Sequence, residues 1–62
     1  MKASVSYEID GWFKHDIWNG TSYELKMKAN ELLKKGAIAV TLHDVRDGSL
    51  LYYRKRNGIS HG

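Results

Sequence analysis

The stretch Thr21-Ser22-Tyr23-Glu24-Leu25-Lys26-Met27-Lys28-Ala29-Asn30-Glu31-Leu32-Leu33-Lys34-Lys35-Gly36 decides the fold. Thr21 with Glu24 three residues on fits a capping box, in which hydroxyl and carboxylate each satisfy an orphan backbone donor. Leu25, Ala29, Leu32 and Leu33 recur at the spacing of one helical face. Glu24 with Lys28 and Glu31 with Lys35 add i,i+4 pairs on the exposed side. Lys34 and Lys35 suit the negative helix end, and Gly36 suits the left-handed position that closes it. The spacing predicts a helix over 22–35, with Tyr23, Met27 and Asn30 as a weaker second stripe.

On both sides of that helix the period changes to two. Downstream, Ile38, Val40 and Leu42 alternate with Ala37, Ala39, Thr41 and His43, which predicts a strand. Asp44-Val45-Arg46-Asp47-Gly48-Ser49 then reads as a tight connection, and Leu50 to Arg56 as the returning strand. Upstream, Val5, Tyr7 and Ile9 alternate with Ser4, Ser6, Glu8 and Asp10 to give a first strand. After Gly11 the segment Trp12-Phe13-Lys14-His15-Asp16-Ile17-Trp18 has no clean period. It fits a strand continued past a glycine bulge, the second strand of a hairpin, or an aromatic-rich loop. The expected fold class is α+β, a β-α-β-β unit with one helix on a small sheet of three strands, or four if residues 12–18 join it.

A chain of 62 residues with 42% hydrophobic and 27% charged residues forms a single domain, read as 1–57 with a frayed tail at 58–62. At this size folding buries only about 60% of the surface the unfolded chain exposes, which excludes a dinucleotide fold or a lidded substrate cleft. No Cys is present, so no disulfide framework contributes, and such a domain commonly gains stability from a second copy of itself. Residues 1–10 alternate where an export signal would be continuously apolar, and no run is long enough to span a bilayer. The chain reads as cytoplasmic.

Pairing Asp44 with Ser49 sets Leu42 opposite Leu51 and Val40 opposite Tyr53, a register inferred from the turn alone. The face away from the helix would then carry Ala37, Ala39, Thr41, His43, Leu50, Tyr52, Arg54 and Arg56. That face is too apolar at its middle for a solvated surface. Residues 12–18 folding back, or another subunit approaching over the small Ala37, Ala39 and Thr41, would cover it.

Two clusters stand out as candidate sites. The group Trp12, Phe13, Ile17 and Trp18 has the composition of an interface anchor, and equally that of a completed core. Tyr52, Arg54, Lys55 and Arg56 are the candidate nucleic-acid-binding residues: Tyr52, Arg54 and Arg56 share a strand face, where a ring can stack on a base while guanidinium groups meet phosphates. Basic residues at a strand end also guard against edge-to-edge aggregation, and the net charge of +3 is ordinary for a small domain. The lysines of the helix read as a solvated face.

Catalytic and metal signatures are lacking. The His15-Asp16 and His43-Asp44 dipeptides would point to opposite strand faces and do not chelate as units. The serines and threonines occupy no nucleophile-elbow context, and the glycines form no phosphate loop. A minimal nuclease built on His43, Tyr52 and Arg54 is chemically conceivable but lacks a cleft. No cofactor, small-molecule substrate or catalytic residue is expected.

The layout of Tyr7-Glu8-Ile9-Asp10-Gly11-Trp12-Phe13, the capped helix ending Leu32-Leu33-Lys34-Lys35-Gly36, then Ala37-Ile38-Ala39-Val40-Thr41-Leu42 and a Gly-containing hairpin, resembles short uncharacterised proteins encoded by bacteriophages and prophages. That resemblance implies an oligomer acting in the host cell by binding a host or phage macromolecule. The leading expectation is a non-enzymatic, homo-oligomeric protein-binding module using Trp12, Phe13, Ile17, Trp18, Ala39 and Thr41. The alternative is a small basic nucleic-acid-binding protein using the last strand.

Overall fold

Asp10 and Gly11 both take positive φ, 53° and 80°, and Ile9 pairs directly with Trp12, so the chain reverses in a two-residue turn. Asp-Gly suits this geometry because the turn needs left-handed backbone at both central positions. The aromatic segment is therefore the second strand of a hairpin. The computed structural model describes residues 1–56. Its elements are β1 (Lys2–Ile9), β2 (Trp12–Asn19), α1 (Ser22–Lys34), β3 (Ala39–Asp44) and β4 (Leu50–Lys55). The α+β class stands, but the order is ββαββ, and one helix packs on a four-stranded antiparallel sheet ordered β2-β1-β3-β4. The tail expected at 58–62 lies outside the described residues.

The helix forms where its sequence requires it. Thr21 Oγ1 accepts from the Glu24 backbone N–H at 3.1 Å, and Glu24 Oε1 accepts from the Thr21 N–H at 2.8 Å. These reciprocal bonds hold the Glu24 carboxyl below the usual carboxylate range: the backbone N–H of Thr21 contributes most, then its side chain. At the other end Gly36 takes φ 120°, and the Ala37 N–H donates to the Leu32 carbonyl at 3.0 Å.

The core lies wholly between helix and sheet. Leu25 and Ala29 from α1 meet Ala3 and Val5 of β1, Val40 and Leu42 of β3, and Ala37 just before β3. Leu32, Leu33, Tyr7, Ile9, Trp18, Leu51 and Tyr52 pack around them, half-buried. Alanine fills three of the seven fully buried positions, so the apolar volume is small even for this length. A core of this size seldom supplies more than about 3–5 kcal/mol of stability.

One expectation about register fails. The Asp44 N–H does donate to the Ser49 carbonyl at 2.8 Å, as the turn reading required. A bulge at Leu42/His43 then intervenes: His43 pairs with Leu50, but Leu42 pairs with Tyr52 and Val40 with Arg54. Leu51 is the extra residue on β4, and the strand beyond it turns over. Tyr52 and Arg54 therefore lie on the helix side of the sheet and Tyr53 on the open side, the reverse of the expected arrangement. Ala37 also leaves the expected open face, since it precedes β3 and is fully buried in the core.

Candidate functional site

The face of the sheet away from the helix is built in rows across all four strands. The paired residues run Phe13–Glu8–Ala39–Lys55, then His15–Ser6–Thr41–Tyr53, then Ile17–Ser4–His43–Leu50. Successive residues of a strand alternate faces, so these twelve positions share one surface. On the inner strands Ser4, Ser6, Ala39 and Thr41 form a low floor with Glu8 and His43 at its ends, and large residues on the outer strands form two ridges. Phe13, Ile17, Leu50 and Tyr53 are all exposed, Phe13 by 85%. Beside Phe13 lies a hollow of about 140 Å³ lined by Ser6, Glu8, Ala39 and Thr41 with Tyr7 beneath. His15 Nε2 and Ser4 Oγ share a hydrogen bond of 2.7 Å across the floor.

Residues 12–18 do not fold back over this face, because they extend the sheet instead. The structure thus brings Phe13, Ile17, Ala39 and Thr41 together on one surface. It separates them from Trp12 and Trp18, whose positions opposite Ile9 and Ala3 place them on the helix side. Trp18 packs against the core edge, with the Lys28 ammonium 5.0 Å from its ring centroid and its indole N–H donating to Asp16 at 3.3 Å. Trp12 is 70% exposed at the far end of the same strand.

The free edge of β2 is partly protected. The Gly20 N–H donates to the Met1 carbonyl at 2.9 Å, which sets the hydrogen-bonding phase of the β1–β2 ladder. In that phase the backbone groups of Phe13, His15, Ile17 and Asn19 point away from β1. The Ile17 N–H is taken by Asp16 Oδ1 of its own strand at 2.8 Å. A neighbouring strand approaching this edge meets a carboxylate where it needs a donor.

The basic cluster divides in the opposite sense from the sequence expectation. Tyr52, Arg54 and Arg56 turn toward the helix: Tyr52 Oη and Arg54 Nη1 both donate to Asn30 Oδ1 at 3.3 Å, and Arg56 Nη2 donates to the Leu33 carbonyl. Lys26 stands over the Tyr52 ring, 5.8 Å from its centroid. The Arg54 guanidinium, most of all, then the Asn30 amide and the charges of Arg54 and Lys26, hold the Tyr52 phenol below its ordinary range, against the opposing effect of desolvation. Lys55 lies on the open face.

Sequence reasoning missed Asn30 as the residue joining Tyr52 and Arg54, and it missed the partners Ser4, Ser6 and Glu8. The alternation of β1 named those three as the non-core side, which was the available signal. Asp44 acts in the turn: its Oδ1 accepts from the Arg46 N–H at 2.8 Å. Among the described residues no group of three or more His, Cys, Asp or Glu side chains is placed to hold a metal, and no helix is long and apolar enough to cross a membrane. Comparison of the chain with protein-family models, with curated proteins and with solved structures found no match.

Proposed function

We infer that the chain is a non-catalytic interaction module whose open sheet face pairs with the same face of a second copy. The observation that carries this reading is the ridged surface: Phe13, Ile17, Leu50 and Tyr53 stand exposed around a floor of small residues. A one-faced core of this size leaves the subunit marginal, and covering the second face supplies what the first lacks.

The pattern is self-complementary about one axis. A two-fold axis lying in the face, parallel to the strands and midway between β1 and β3, sets β2 over β4 and β1 over β3. Rows then meet their own copies in reverse. Ile17 comes over Leu50, Phe13 over Lys55, His15 over Tyr53 and Ser6 over Thr41. These are an apolar pair, a cation over a ring, and two hydrogen-bond-capable pairs; the remaining two are Ser4 over His43, also hydrogen-bond-capable, and Glu8 over Ala39, at the rim beside Phe13 and Lys55. An axis across the strands would instead set Lys55 on Leu50 and His15 on itself. Packed sheets cross at about −30°, which displaces the outer rows without changing which strands meet.

Size sets the strength. Four strands about 4.8 Å apart and six residues long present roughly 400 Å² each in projection, roughly 800 Å² for the pair. A stable interface generally exceeds about 1,000 Å², so the association is weak and concentration-dependent. Sedimentation equilibrium in high salt tests this. The mass should rise from 7.1 kDa toward twice that between micromolar and millimolar protein. A constant single-subunit mass over that range overturns the reading. The oligomer so formed is the platform on which a further protein partner would be engaged.

A further inference from the structure

On the helix side of the sheet, between the C-terminal half of α1 and β4, lies a groove of about 490 Å³ lined by Asn30, Leu33, Lys34, Arg54, Lys55 and Arg56. Lys34, Arg54 and Arg56 supply three cations from the helix side, Lys55 borders the groove from a strand position that faces the other way, and among the described residues no carboxylate lines it. We propose that this groove binds the phosphodiester backbone of a nucleic acid, without reading bases.

Three features favour that occupant. Among the described residues the only ion pair within 4 Å is Arg46 with Asp44, at the opposite end of β3, so none of Lys34, Arg54 and Arg56 is paired with a carboxylate at that distance. The two guanidinium groups are positioned by the scaffold: Arg54 is anchored on Asn30 and Arg56 on the Leu33 carbonyl. Each anchor uses one N–H of the five a guanidinium carries, and the remaining donors match a phosphate in forked geometry. The helix C-terminus opposes these cations with the equivalent of only about half a negative charge.

Base recognition has no means here. Tyr52, the one aromatic residue beside the groove, lies under the Lys26 ammonium and gives its hydroxyl to Asn30. Affinity would therefore come from phosphates and counterion release, with little sequence preference. Lys34, Arg54 and Arg56 lie on the helix side, away from the self-pairing face, so binding through them does not depend on dimerisation.

The test uses fluorescence anisotropy with a labelled 20-nucleotide oligo(dT) and a labelled 20-base-pair duplex across a salt series. Three to four phosphates in the groove give a slope of log affinity against log salt of about −2 to −3 on the single strand. The decisive comparison is between Lys34→Gln with Arg56→Gln and Lys2→Gln with Lys14→Gln, which lower the net charge equally. The groove pair should lose at least tenfold in affinity and flatten the slope by about 1.4, at about 0.7 per phosphate contact. The control pair, away from the groove, should stay within twofold. Each groove substitution made alone should lose part of the same affinity, which keeps the test decisive if the double variant fails to fold by circular dichroism. Equal losses in the two pairs, no binding of either probe at low salt, or competition by polyglutamate as effective per charge as nucleic acid overturns the proposal.

Discussion

Replacing Phe13 by Ala separates the self-pairing reading from every account in which the open face is simply solvated. The ring is 85% exposed in the single subunit, so removing it should leave the monomer's own stability almost unchanged. Its value appears only when the face is covered. A Phe side chain presents about 200 Å², of which roughly 170 Å² is exposed here, and covering half of that at about 25 cal/mol/Å² contributes about 2 kcal/mol. A two-fold interface contains the ring twice, so the pair loses about 4 kcal/mol, close to a thousandfold in Kd. An interface of roughly 800 Å² supports micromolar association at best, and the variant should be monomeric at any practical concentration. Sedimentation equilibrium of both proteins at matched concentrations measures this, with thermal melting by circular dichroism to show that the fold is intact. Tyr23→Ala, which removes an exposed ring from the outer face of the helix, should leave association unchanged. If Phe13→Ala assembles as the parent does, or if Tyr23→Ala has the larger effect, the open face is not the surface that pairs.

Stability rests on few residues. Leu25→Ala, at a fully buried position, should cost about 2–5 kcal/mol and shift the denaturation midpoint accordingly, leaving little of the roughly 3–9 kcal/mol expected for a chain this long. Thr21→Ala should cost about 1 kcal/mol in a urea titration, because it removes the acceptor for the Glu24 N–H. The Glu24 carboxyl is depressed in the folded state, so its contribution is complete above the ordinary glutamate pKa and is lost as pH falls through the depressed value. A pH series should show the melting temperature of the parent declining on that acid limb more than that of Glu24→Gln. Ultraviolet titration should show the Tyr52 phenol ionising below its ordinary range, and Arg54→Gln should return it toward that range.

The parts of this fold that were legible in the sequence are the parts fixed by neighbours. Thr21, Glu24 and Gly36 define both helix ends through bonds spanning three to five residues, and the Leu25–Ala29–Leu32 stripe names its buried side. The strands of β1 and β3 announce themselves by strict alternation. Residues 12–18 hid their alternation because both sides of that strand carry large rings: Trp12 and Trp18 on one, Phe13 and Ile17 on the other. Asp10-Gly11 was the informative signal, a two-residue turn with left-handed backbone at both positions. The β4 register was not legible. Leu50, Leu51, Tyr52 and Tyr53 are apolar or amphipathic without a break, so the strand satisfies the core equally well in either phase. For the same reason the surfaces carrying Tyr52, Arg54 and Lys55 had to await the ladder itself.

Leu51, the residue squeezed out of the ladder, has a consequence for how this protein can change. Deleting one residue from the 44–51 connection would close the ladder without the bulge and keep Tyr52 opposite Leu42, whereas straightening the bulge at full length would set Leu51 opposite Leu42 and carry Arg54 and Arg56 to the far surface. The choice of what this strand touches is thus encoded by spacing. Loss of the bulge at unchanged length would rewire its partners more abruptly than any substitution among the arginines.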